Sequence, residues 1–160
     1  MIKTINYLLQ SILIYSFFLV GILLRLNMSR KLFSFLFVYI GPIFKSKKII
    51  NRNLDIFSKK ISSQNRKKII NNMWKNYGKT FIEYIFLDYF RKNNSHTVII
   101  GEENLSQIIK KNKQVIFISG HFANFELMSM EITKKNIPLA TIYRPLNNFF
   151  LNPFMELLRK

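Results

Sequence analysis

Residues 115–131 read VIFISGHFANFELMSME, from Val115 to Glu131. Val115 to Ser119 is a short apolar run with β-branched members, the pattern of a buried strand. Gly120 turns the chain, His121 follows, and an apolar helical pattern containing Glu126 runs on to Lys135. Two further runs have the same strand character: Thr97 to Ile100 (TVII), closed by Gly101, and Pro138 to Tyr143 (PLATIY). Between the first two, Asn104 to Lys110 reads as a short helix. Strands alternating with helices predict an α/β domain with a mostly parallel sheet and βαβ crossovers. In such sheets functional sites lie at the carboxyl ends of strands, and His121 is expected there.

The spacing His121-x4-Glu126 has a geometric consequence. On one continuous helix, residues five apart stand about 140° apart around the axis and do not share a face. The spacing works if His121 occupies the turn and Glu126 the first helical turn. A carboxylate can then hold one imidazole nitrogen and leave the other free as a base, which suits a group that titrates near neutral pH. No cysteine is present, and no serine is spaced as a nucleophile elbow, so such a base would act directly on a substrate hydroxyl. Spacing alone leaves other roles open. His121 could cap the turn, or ligate a metal although His96 is the only other histidine, or join Ser119 and Gly120 in holding a phosphate.

Outward from this segment the chain is basic and apolar. It has 160 residues, 25 Lys and Arg against 8 Asp and Glu, a formal charge of +17, and 49% hydrophobic residues. Those values exclude a disordered basic tail and suit one domain. The absence of cysteine excludes a disulfide scaffold, a zinc finger and a cysteine nucleophile. Abundant Lys, Asn and Ile also fit an AT-rich coding sequence, and codon usage is the alternative to a functional reading for part of the charge. The functional readings are an anionic membrane surface, an acidic protein partner or nucleic acid.

The first acidic residue is Asp55. Before it, Ile5 to Leu24 (INYLLQSILIYSFFLVGILL) carries no charge and is long enough to cross a hydrocarbon core of about 30 Å. A second run, Leu32 to Phe44 (LFSFLFVYIGPIF), is too short to span and is expected to break at Gly41-Pro42. A secretory signal is disfavoured because no small-x-small cleavage site follows the first run. Basic residues Arg25, Arg30, Lys31, Lys45, Lys47, Lys48 and Arg52 follow it, against Lys3 before it. If the helix spans, they place the rest of the chain in the cytoplasm; if it lies in the interface, they face anionic headgroups. Residues 51–90 read as helices, with a cap in Ser62-Ser63-Gln64-Asn65 and apolar residues from Ile69 to Ile85 at helical spacing. Glu83, a lone acid in this apolar stretch, has Lys79 one turn earlier as its expected partner.

SGHFANFELM and, some twenty residues on, TIYRPLNNFFLN together resemble the bacterial lipid A biosynthesis acyltransferases. These late, or lauroyl, acyltransferases belong to the lysophospholipid acyltransferase-like group, whose signature is His-x4-Asp/Glu. NLDIFS, MWKNYGKTFIEY and GEENL agree in order and separation, and the resemblance runs from about residue 5 to Lys160. It implies that His121 is the catalytic base and Glu126 its acidic partner. It implies that Arg144 binds substrate phosphate or steadies a developing oxyanion, with Asn124 and Asn147 in the same blocks. It implies an acyl chain on acyl carrier protein as donor, a hydroxyl of a lipid A precursor as acceptor, and no metal, cofactor or covalent enzyme intermediate. The acidic carrier protein would be a second partner for the basic surface. The location implied is the cytoplasmic face of the bacterial inner membrane. Residues 1–44 would be a membrane anchor or interfacial segment, and residues 45–160 the N-terminal part of the acyltransferase domain.

Two departures stand out. The family usually reads Gly-His-x-Gly-Asn-Trp-Glu; Ala123 and Phe125 replace the second Gly and the Trp, and Ala123 narrows the backbone's freedom in the turn. Family members also continue past the Tyr-Arg-Pro block, so the resemblance implies an N-terminal portion with an unfinished sheet, and does not imply activity for these 160 residues alone. Another glycolipid or a lysophospholipid as acceptor is the nearest alternative. A non-catalytic membrane-surface or nucleic-acid-binding protein is the alternative of another class; no nucleic-acid motif supports the latter.

Overall fold

The computed structural model describes residues 2–111 and 114–159; Lys160, the last residue of the family resemblance, lies outside the described residues. The chain divides into two compact units, residues 1–85 and 86–160.

The first unit is built from α1 (Ile2–Phe44), α2 (Lys47–Phe57) and α3 (Ser63–Glu83). α1 is not one rod. Arg25 has φ 60° and ψ 170°, which no helix accommodates, and the chain reverses there. The Ser29 hydroxyl reaches back to donate to the Gly21 carbonyl at 2.6 Å. The rings of Phe17 and Phe33 lie 5.6 Å apart, whereas sixteen residues of straight helix would separate them by about 24 Å. The two apolar runs are therefore the arms of a helical hairpin. The second arm continues through Gly41 and Pro42 to Phe44, so the expected break is not made. Proline falls in the last turn, where little helix remains to be disrupted, and Gly41 gives up a side chain so that Trp74 can lie against it.

α3 closes the hairpin. Ser62 caps it by accepting from the Asn65 amide at 3.3 Å, as the sequence suggests. Phe81 sits among both arms, 5.2 Å from Phe18, 5.8 Å from Phe33 and 5.3 Å from Phe37 between ring centroids. Gly78 packs directly on the Phe33 carbonyl, a backbone-to-backbone approach that leaves no room for a Cβ. The Ser34 hydroxyl donates to the Lys75 carbonyl at 3.2 Å. Glu83, only 6% exposed, accepts from Arg30 at 2.7 Å. Its ion pair thus comes from 53 positions away, rather than from the expected Lys79. An uncompensated carboxylate at that depth would be costly, and Arg30 offsets it. At the other end, Arg66 of α3 holds Asp55 of α2 at 2.7 Å.

The second unit carries α4 (Leu87–Lys92), α5 (Glu102–Lys111), α6 (Glu126–Lys134) and α7 (Asn152–Arg159). Leu87, Phe90, Met130, Ile132 and Leu151 form its buried centre. A Lys92 hydrogen bond at 2.6 Å holds the Asp88 carboxyl below its usual range. Lys134 of α6 donates to the Phe90 carbonyl in the last turn of α4, at 2.9 Å. α6 stops one residue short of the expected Lys135, where Asn136 turns the chain at φ 58°. Asparagine tolerates that left-handed conformation better than most side chains.

The expected parallel sheet with βαβ crossovers is not present: among the described residues there is no strand. Residues 97–100, 114–119 and 138–143 run as irregular chain without ladder pairing. Their apolar side chains stand outward, Ile116 at 90% exposure and Ile118 at 93%. β-Branched runs carry a preference for a pleated, half-buried surface, yet a parallel strand forms only when a neighbour supplies its hydrogen bonds and helices cover its faces. The runs have the preference without the partners. The second and third runs, with α5 and α6, line a cleft of about 1170 Å³ whose walls include Ile109, Val115, Phe117, Met128 and Ile142.

Candidate active site

The turn before α6 puts His121 at an exposed point. The Phe122 amide donates to the Gly120 carbonyl at 2.9 Å, which closes a three-residue γ-turn with His121 at its centre. Gly120 suits this turn, since a Cβ there would strike the Phe122 ring. Ala123 follows at φ 46°, a left-handed conformation that disfavours any residue with a Cβ. The Leu127 amide then donates to the Asn124 carbonyl at 3.3 Å and the Met128 amide to the Phe125 carbonyl at 3.2 Å, which opens α6.

His121 thus lies in the turn and Glu126 is the first residue of α6. Their partners differ. The His121 ring meets the edge of Phe125, with centroids 4.3 Å apart. The Glu126 carboxylate accepts from Arg159 of α7, at 2.9 Å from Nε and 2.6 Å from Nη2. Both side chains of that pair are largely buried, so the bond is charge-assisted in a partly desolvated setting.

Arg159 had no assigned role in the sequence, and its signal there is slight: one arginine in the last turn of a short helix. Its guanidinium also lies 4.9 Å from the Tyr143 ring centroid. The Tyr143 hydroxyl donates to the Asn152 side-chain oxygen at 3.0 Å, and the Leu146 amide donates to the same oxygen at 2.7 Å. Asn152 in turn donates to Glu156 at 2.7 Å. α7 therefore ties the His-x4-Glu block to the Tyr-Arg-Pro block through Arg159, Tyr143 and Asn152.

Arg144 and Asn147 lie on the exposed segment between those anchors, while Asn124 is half-buried in the turn. Asn148, next to Asn147, is buried and uses its side-chain oxygen to accept from the Phe150 amide at 3.0 Å, shaping the approach to α7. Among the described residues no three His, Asp or Glu side chains gather where a metal ion could be held.

Compared with known protein families, residues 2–160 match the one described as "Bacterial lipid A biosynthesis acyltransferase". The chain belongs to this family. A comparison with curated proteins and another with solved structures found no match. A lipid A biosynthesis acyltransferase requires an acyl donor and a lipid substrate. α1 of this acyltransferase is long and apolar enough to cross a membrane, which fits membrane association.

Proposed function

We propose that this acyltransferase moves an acyl chain from acyl carrier protein to a hydroxyl of a lipid A precursor, at the cytoplasmic face of the bacterial inner membrane. One observation carries the reading: a chain that matches the family from residue 2 to 160 presents His121 at the exposed centre of a turn, five residues before Glu126. His121 accepts the proton of the acceptor hydroxyl. The oxygen attacks the thioester carbonyl carbon, the C–S bond breaks, and the departing thiolate takes a proton from the imidazolium. Glu126, held by Arg159, steadies the positive charge that His121 gains. Arg144, on the exposed Tyr-Arg-Pro segment, is the group for a substrate phosphate or the developing oxyanion. Asn124 and Asn147 contribute hydrogen bonds to the same substrates. The acidic carrier protein is drawn by the chain's excess of Lys and Arg.

The test is His121→Ala in the intact protein, with transfer to lipid A precursors, other glycolipids and lysophospholipids followed by mass spectrometry. Loss of a general base is expected to slow transfer by about 10²–10⁴-fold, while membrane location persists. An unchanged rate would remove His121 from the mechanism. Transfer confined to a lysophospholipid would replace the proposed acceptor.

A further inference from the structure

We propose that the first unit, residues 1–85, lies flat in one leaflet of an anionic bilayer as a hairpin that enters and leaves on the same side. This rests on the membrane location proposed above and is independent of the His121 chemistry.

The packing of α1 runs opposite to that of a helix in water. Its buried positions include Ser11, Gly21, Ser29, Ser34 and Gly41 beside Phe18 and Phe33. Its exposed positions before Arg25 include Ile5, Leu9, Ile12, Leu13, Val20 and Leu23. Small residues at helix contacts and large apolar ones outward are the signature of helices bathed in lipid, where close approach and hydrogen bonds drive association. The hydroxyls of this arm are also satisfied within it. Ser11 donates to the Tyr7 carbonyl at 2.7 Å, and Ser16, although exposed, donates to the Ile12 carbonyl at 2.8 Å. Water is not needed for either.

Charge identifies the lipid and sets the depth. Residues 1–85 hold fifteen Lys and Arg and two acids, Asp55 and Glu83, and each acid is already bonded to an arginine. The surplus suits anionic headgroups. Charges sit at both ends of the hairpin: Lys3, Lys45, Lys47 and Lys48 at the open end, Arg25, Arg30 and Lys31 at the bend. α3 displays Lys67, Lys68, Lys75 and Lys79 along its length. Lys75 lies level with Ser34, in the middle of the second arm. A bundle set upright across the bilayer would drag these ammonium groups through the hydrocarbon. Lying flat, it keeps them at the headgroups and sinks only the uncharged outer face of residues 5–24.

The absence of cysteine makes the test clean. Single cysteines replace exposed residues at the start of α1 (Thr4→Cys), at the bend (Asn27→Cys) and between α2 and α3 (Lys59→Cys). Sealed native membrane vesicles of each orientation are treated with a membrane-impermeant maleimide. The expected result is labelling of all three sites from one and the same side. Thr4→Cys and Lys59→Cys labelled from opposite sides would mean that the first arm crosses. Asn27→Cys labelled opposite to the other two would mean that the hairpin crosses. Either result overturns the flat hairpin while leaving the membrane location intact. Release of the protein by high salt without detergent would overturn the membrane location itself. Binding of the detergent-purified protein to vesicles is expected with phosphatidylglycerol and to weaken with phosphatidylcholine alone; equal binding to both would remove the anionic headgroup from the proposal.

Discussion

Ala123 shows how a single side chain can record the shape of a turn. The family resemblance marks the position as one usually held by glycine, and the structure gives the reason: the backbone there has φ 46°. A left-handed conformation costs a residue with a Cβ about 1–2 kcal/mol, and glycine almost nothing. Ala123→Gly is therefore expected to raise stability by about 1 kcal/mol, part of the relief being offset by the greater freedom of glycine in the unfolded chain. Thermal unfolding of the two proteins side by side checks the sign; a lower midpoint for the variant would show that the turn is not strained. Glu126 makes a second point at this scale. Its place at the head of α6 was legible from the spacing to His121, whereas its bond to Arg159, 33 positions away, was not, because nothing local links the last turn of α7 to the first residue of α6.

At the scale of an element, α3 owes its position to what it lacks. Gly78 faces the Phe33 carbonyl with no space for a Cβ. On an unpacked helix, alanine in place of glycine would stabilise by about 1 kcal/mol through propensity alone. Here the packing reverses the sign. Gly78→Ala is expected to destabilise the first unit by about 1–3 kcal/mol, the usual cost of overfilling a tight contact. Thermal unfolding in detergent, followed by circular dichroism, reads this directly, and a stabilised variant would rule out the close approach. The helix itself was readable from its cap and its apolar period, which are local. The reversal at Arg25 was not: both apolar runs were visible, but the bend is made favourable by contacts between residues far apart in the chain, Phe17 on Phe33 and Phe81 packed among both arms.

For the whole molecule, the absence of strands among the described residues has a measurable consequence. Amides in residues 97–100, 115–119 and 138–143 take no part in a ladder, so they should exchange with solvent far faster than those of α3 or α6. Hydrogen exchange resolved by peptide would show this, and strong protection in all three runs would restore a sheet. Charge differs between the units as well: fifteen of the 25 basic residues fall in residues 1–85 with only two of the eight acids. The basic character of the chain is thus concentrated in the unit that carries the outward apolar face, and less in the unit that carries His121.

What the sequence determined alone was whatever rests on neighbours along the chain. Caps, helical periods, the charge-free run and the turn with His121 five residues before Glu126 all depend on a few consecutive residues, and each blocks or favours a local backbone conformation without further help. The family, too, was legible there, as an ordered set of short blocks. Only the tertiary structure decided what depends on distant partners. The pairing of Arg30 with Glu83, the hold of Arg159 on Glu126, the fold-back of α1 and the fate of the three β-branched runs each require contact across tens of residues. A strand is the clearest case: its stabilising hydrogen bonds belong to another segment, so a sequence can carry the preference for a strand while the fold supplies no neighbour to make one.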